Sequence, residues 1–182
     1  GDNSELTTGL IGYAERALGA LKIPFVQAGR GGDQTIAYSN NKAWVRFALM
    51  QYCSHILLTM GTNDISGGTT LAALQTNFRA AYAAARRAGC KIIVATCPTR
   101  TTSTDNWTTT TNQTVVAAFE VGGLRDQLNT FHAAALASGE IDFLFDMNDG
   151  LTTVDNKWIV GTTDDGIHPN NAGHALKNTQ FQ

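Results

Sequence analysis

Near the end of the chain stands the run Asp164-Asp165-Gly166-Ile167-His168-Pro169-Asn170. A histidine that is to take a proton from a hydroxyl needs a carboxylate to fix its tautomer and to stabilise the imidazolium that forms. Asp165 precedes His168 by three residues, a spacing that a tight glycine-containing loop can fold into one cleft. The chemistry on offer is general base catalysis of attack by a hydroxyl. Taken alone, the same residues also read as a surface loop. Pro169 and the residues after it suggest the start of a closing helix, because proline is tolerated in a first turn.

A second run, Gly61-Thr62-Asn63-Asp64, directly follows the apolar stretch Ile56 to Met60. A side-chain amide at the carboxyl end of a parallel strand can donate a hydrogen bond to an oxyanion as its charge develops. The plainer alternative is that Asn63 and Asp64 form an Asx turn and cap the next helix. A third run, Gln27-Ala28-Gly29-Arg30-Gly31-Gly32-Asp33, follows an apolar segment that starts at Phe25. Glycines there let the backbone approach a ligand and offer it an N–H, or make a simple tight turn. Their spacing does not satisfy Gly-x-Gly-x-x-Gly, which disfavours a dinucleotide site.

In this order, the glycine loop, Gly-x-Asn-Asp and Asp-x-x-His-Pro together resemble the second, third and fifth sequence blocks of the SGNH (GDSL-type) hydrolases. The resemblance runs from about Gly12 to His174. It implies a flavodoxin-like three-layer α/β/α sandwich with a mainly parallel sheet, and a serine esterase working through an acyl-enzyme without a cofactor. Carried over residue by residue, His168 would be the general base and Asp165 its orienting carboxylate. Asn63 and the backbone of Gly32 would form the oxyanion hole, with Gly31 taking the second role if the loop register differs by one.

The family's first block, an apolar strand running into Gly-Asp-Ser, has no clear counterpart. Here the chain opens Gly1-Asp2-Asn3-Ser4, with asparagine where the nucleophilic serine would fall. Three explanations stand. Ser4 is a displaced nucleophile, with Thr7-Thr8-Gly9 echoing the residues after the family serine; or the nucleophile and its strand lie upstream of residue 1; or the site is silent. Since that strand is central in the family topology, an upstream segment or a partner chain is expected to supply it.

The elements that must position these residues alternate between short β-rich and longer helical runs, as in a parallel sheet with crossover helices. Phe25 to Ala28, Ile56 to Met60, Lys91 to Cys97 and Ile141 to Asp146 read as strands. Three are nearly continuous apolar runs, as strands covered on both faces should be. Leu10 to Leu21, Ala43 to Tyr52, Leu71 to Ala88 and Val115 to Ala137 carry apolar residues at helical spacing. Arg86, Arg87 and Gly89 make a cationic last turn and a glycine stop. Thr99 to Thr114, rich in threonine around Trp107, reads as a loop at the ligand-binding edge of the sheet. Trp107 is there either an exposed loop residue or a stacking platform for substrate.

The 182 residues match one domain, with a formal charge of -2 and only 13 basic residues, so nucleic acid is disfavoured as a partner. No apolar run approaches the roughly 20 residues that span a bilayer. The start lacks a signal-peptide pattern, as a mature secreted protein's also would, and the compartment stays open. The three cysteines are an odd number, and Cys90 and Cys97 would lie roughly 23 Å apart along a strand. They read as core residues. His55, His132 and His174 read as structural or surface histidines, and none has companions at metal-ligand spacing, so no metal is expected. The resemblance implies a small-molecule or glycan carboxylic ester as substrate, and the polar loop around Trp107 points towards a glycan. A silent carbohydrate-binding or structural module and an acyltransferase are the rivals.

Overall fold

The computed structural model describes residues 12–40 and 42–181. The expectations placed on residues 1–11, Ser4 as nucleophile among them, lie outside the described residues. The chain forms two compact units: Gly32–Pro98 with Ala118–Met147, and Gly1–Gly31 with Thr99–Ala117 and Asn148–Gln182.

The first of these units holds helices α2 (Ile36–Ser39), α3 (Trp44–Met50), α4 (Thr62–Ser66), α5 (Leu71–Arg87) and α6 (Leu124–Ala137). Its strands are β1 (His55–Leu58), β2 (Lys91–Ala95) and β5 (Phe143–Phe145). They form a parallel sheet in the order β1-β2-β5, with Leu58 opposite Val94 and Ala95 opposite Phe145. β2, the central strand, buries Ile92 and Val94 completely. Among the described residues β1 and β5 each pair with a strand on one side only, and Phe143 is left 53 % exposed. Of the three strands β2 is the most buried.

α5 forms because Leu74, Phe78, Ala81, Tyr82 and Ala85 fall on one buried face. The Thr70 side chain accepts the N–H of Ala73 at its start. Gly89 ends it at φ +80°, a left-handed conformation suited to glycine. α5 packs on α6 through the edge of Phe78 against His132, 4.5 Å between ring centroids; burying a side chain such as Phe78 contributes about 1.5–3 kcal/mol. α6 begins nine residues later than its apolar spacing predicts, at Leu124 and not Val115. Gly122 adopts φ +76° and donates its N–H to Asp126 Oδ2, which breaks a helix there.

The second unit contains α1 (Tyr13–Ala20), the antiparallel hairpin β3 (Thr101–Ser103) and β4 (Gln113–Val115), and α7 (Asn171–Phe181). α1 meets α7 through Tyr13, whose ring lies edge-on to Phe181 at 5.6 Å. The expected strand from Phe25 to Ala28 is not formed. A strand exists by virtue of a ladder, and here Gly29 N–H turns to the side chain of Gln27, while Phe25 and Val26 are exposed. The threonine-rich segment read as a loop is instead the hairpin, since β-branched residues favour extended pairing even when polar. Pro169 is not in the first turn of the closing helix. Asn170 caps it, Oδ1 accepting the N–H groups of Ala172 and Gly173 at 3.1 and 3.2 Å.

Candidate catalytic site

His168 and Asp165 meet in the second unit. Asp165 Oδ2 lies 2.7 Å from His168 Nδ1, and Oδ1 accepts the backbone N–H groups of Ile167 and His168 at 2.7 and 2.8 Å. Partial burial raises the Asp165 pKa, but the His168 ring and the two backbone donors outweigh it and hold the carboxyl at about 2. Asp165 is thus a fixed anion across the working pH range, able to orient an imidazole and stabilise its protonated form. Both side chains stay about half exposed, at 49 % and 45 %.

The loop that carries the pair is held from below. Gly166 takes φ +71°, and its carbonyl accepts the N–H of Thr101 and the indole N–H of the fully buried Trp158, both at 2.9 Å. Thr163 Oγ1 accepts Gly166 N–H at 3.0 Å and donates to His168 O at 2.8 Å. A Cβ on Gly166 would run into Thr101 O and would stand 2.7 Å from the Trp107 ring. Trp107 thus packs against the loop bearing Asp165 and His168, its Nε1 donating to Thr101 Oγ1 at 2.9 Å. It adopts φ +58°, unusual for a bulky residue, with its N–H held by Ser103 Oγ.

Asn63 and Gly32 both belong to the first unit. Asn63 lies inside α4, directly after β1, and Nδ2 donates to Asp33 O at 3.2 Å; Gln34 Nε2 returns a bond to Asn63 O at 3.1 Å. The asparagine is thereby tied to the residue following Gly32, which is exposed at φ +76°. Asp64 is buried, with Oδ1 on the N–H and hydroxyl of Thr35 at 2.9 and 2.5 Å. Neither residue caps the next helix, since Thr70 does. Gly61, at φ +124°, faces Leu128 so closely that a Cβ would stand 2.9 Å from its Cδ2, which accounts for the glycine that begins this run.

The remaining candidates are structural in their surroundings. His132 is buried and accepts or donates at Nδ1 with the Tyr82 hydroxyl, 3.0 Å away. His174 stacks on Tyr13 at 6.2 Å, and His55 is exposed at the start of β1. Cys53, Cys90 and Cys97 are free thiols, and burial pushes that of Cys97 up to about 11. Among the described residues, no three His, Cys, Asp or Glu side chains gather to hold a metal ion. No described helix is long and apolar enough to cross a membrane. Thr163, Trp158 and the Asp64–Thr35 pair escaped the sequence reading; Thr35 meets Asp64 across 29 positions, Thr163 and Trp158 reach the loop through backbone groups that residue type does not reveal, and only the place of Asp64 in the asparagine motif offered a signal.

Residues 3–176 match the model of the GDSL-like lipase/acylhydrolase family. Among solved structures, a G-D-S-L family protein from Desulfitobacterium hafniense superposes with a TM-score of 0.69 at 16 % identity, over 92 % of this chain and 85 % of that one. A GDSL-like lipase from Bacteroides thetaiotaomicron gives 0.67 at 12 % identity, over 97 % and 82 %. An acetylxylan esterase from Geobacillus stearothermophilus gives 0.67 at 17 % identity, over 94 % and 79 %. No curated protein shows significant similarity to the sequence. At these identities the structural likeness is one of fold, an α/β sandwich with a mainly parallel sheet. With a family match over nearly its whole length, the chain belongs to the GDSL-like lipase/acylhydrolase hydrolases.

Proposed function

We propose that this hydrolase is a serine esterase that cleaves carboxylic esters, acetyl groups on a carbohydrate among them, through an acyl-enzyme. The observation that carries the reading is the Asp165–His168 contact, Oδ2 to Nδ1 at 2.7 Å, which supports Nε2 as the ring nitrogen that exchanges a proton with the reacting hydroxyl. A serine Oγ attacks the ester carbonyl as its proton passes to His168 Nε2. The oxyanion is held by Asn63 Nδ2 and the Gly32 N–H. The C–O bond to the alcohol breaks, with His168 returning the proton to the leaving oxygen. Water, deprotonated by the same nitrogen, then releases the acid and regenerates the serine.

Ser4 is our candidate nucleophile. The inference of a carbohydrate ester draws support from the acetylxylan esterase among the structural neighbours, and from the polar hairpin with Trp107 beside the Asp165–His168 loop. One of those neighbours is also known as a catalytic mutant with a serine replaced by alanine, which supports a serine nucleophile. The test is labelling with an active-site serine phosphonate followed by mass mapping. Labelling of Ser4 that disappears in His168→Ala is the expected result. Labelling of another serine would move the nucleophile, and no labelling at all would favour a silent carbohydrate-binding module. Release of acetate without transfer to an added sugar would set hydrolysis apart from acyl transfer.

A further inference from the structure

We propose that Asp64 is a positioning residue for the oxyanion hole, locking the Gly32 loop to the helix that carries Asn63. The inference rests on the assignment of Asn63 and Gly32 as oxyanion donors. Asp33, Gln34 and Thr35, the three residues after Gly32, each bond to Asn63 or Asp64. Asp33 O takes the Asn63 amide, Gln34 Nε2 reaches Asn63 O, and Thr35 gives both its N–H and its hydroxyl to Asp64 Oδ1. The first two bonds are exposed, and water competes for their partners. The third is buried, with Thr35 at 0 % and Asp64 at 1 % exposure, and hydrogen bonds to a carboxylate are among the stronger ones.

A chain of side chains extends the lock into α5. Asn77 Nδ2 donates to Thr35 Oγ1 at 3.2 Å, and Asn77 Oδ1 accepts from Ser39 Oγ at 2.7 Å. Thr35 Oγ1, having accepted from Asn77, directs its own hydrogen to Asp64. Among the described residues Asp64 Oδ2 has no hydrogen-bond partner. A buried carboxylate oxygen left this way costs stability, so folding alone gives little reason for an aspartate at this position. Gly32, at φ +76°, belongs to the residue type with the widest backbone freedom. A donor on such a backbone needs holding from outside if it is to meet an oxyanion at a set distance.

The full-length protein is compared with Asp64→Ala, Asp64→Asn, Thr35→Val and Asn63→Ala. The readouts are kcat and KM on p-nitrophenyl acetate, the Kd of phenylboronic acid, whose serine adduct mimics the tetrahedral intermediate, and the Tm. Misplaced oxyanion donors predict a kcat loss of about 10- to 100-fold in Asp64→Ala, KM within about twofold, and phenylboronic acid weakened in step with kcat. Asp64→Asn, which keeps an oxygen for Thr35, should recover most of the loss. Thr35→Val, near in shape and leaving Asp64 and the Thr35 backbone N–H in place, should lose kcat in the same way and decides the matter if Asp64→Ala does not fold. A lowered Tm with kcat and boronate affinity intact in Thr35→Val would overturn the proposal. If Asn63→Ala itself keeps its kcat, the fault lies in the assignment of the oxyanion hole; if it loses kcat while Asp64→Ala and Thr35→Val do not, the positioning role alone fails.

Discussion

The two oxygens of Asp165 hold two different parts of His168: Oδ2 meets the ring at Nδ1 over 2.7 Å, and Oδ1 takes the residue's own backbone N–H over 2.8 Å. The carboxylate therefore sets both the orientation of the imidazole and the course of the chain that bears it. The three-residue separation makes this possible, because the intervening Gly166 accepts the left-handed turn that folds the aspartate back over the histidine.

Asp165→Asn should keep the loop folded, since an amide oxygen can still accept the backbone N–H groups, but it removes the anion beside the imidazole. We expect kcat to fall by about 10^3- to 10^4-fold, with KM little changed. Because Asp165 stays ionised down to about pH 2, the acid limb of the wild-type pH profile should report a histidine and not this aspartate. An acid limb centred near pH 2 in kcat/KM would remove His168 as the base, and an Asp165→Asn enzyme of near-normal kcat would remove Asp165 from its role.

Asn63→Ala takes away the proposed oxyanion donor, and such losses typically cost about 10^2- to 10^3-fold in kcat. Stability should change little in comparison, because the bond from Asn63 to Asp33 O is exposed. Steady-state kinetics beside a thermal melt tests this. A large fall in Tm with kcat preserved would make Asn63 a structural link only.

Much of the frame was readable before the structure, and the exceptions share a cause. β1, β2 and β5 are apolar runs between helical patterns, and the stop after Arg87 is written in Gly89. The segment from Phe25 to Ala28 has a strand's composition, but a strand also requires a neighbour, which composition does not record. The hairpin was hidden because its residues are polar, and polar alternation carries no apolar period to detect. α6 was drawn too long because Gly122 interrupts an otherwise helical spacing. For the site, residue types at fixed spacing pointed to Asp165, His168 and Asn63. Thr35 meets Asp64 across 29 positions that no local pattern spans, and Trp158 and Thr163 hold the loop through its backbone, which residue types do not record.

Gly166 ties the loop bearing Asp165 and His168 to the hairpin, and the tie can be measured. Gly166→Ala puts a methyl group against Thr101 O and the Trp107 ring in a backbone conformation that L residues avoid. The conformational cost and the overpacking together should destabilise by about 2–5 kcal/mol. Trp107→Phe keeps an aromatic wall but loses the bond to Thr101, for about 1 kcal/mol. Denaturant titrations of both variants should preserve this order. Equal, negligible effects would mean that the hairpin does not support the loop.

Stability should also depend on pH through His132. It is buried against Phe78 and Tyr82, and burial lowers its pKa to about 4 from an ordinary 6.5. Between those values the unfolded chain binds a proton that the folded chain refuses, so the unfolded state gains as the pH falls. The stabilising contribution is complete above about pH 6.5 and is lost progressively down to about pH 4, a change of order 3 kcal/mol at most. Carboxylates titrate at the lower end of the same window, so the wild-type slope alone does not isolate the histidine. His132→Gln does: its amide oxygen can still accept from Tyr82, but it takes up no proton. The difference in unfolding free energy between wild type and His132→Gln, followed by urea titration from pH 7.5 to 4, should shrink as the pH falls. A difference that stays constant across that range would mean that His132 titrates alike in both states and that its burial is not felt.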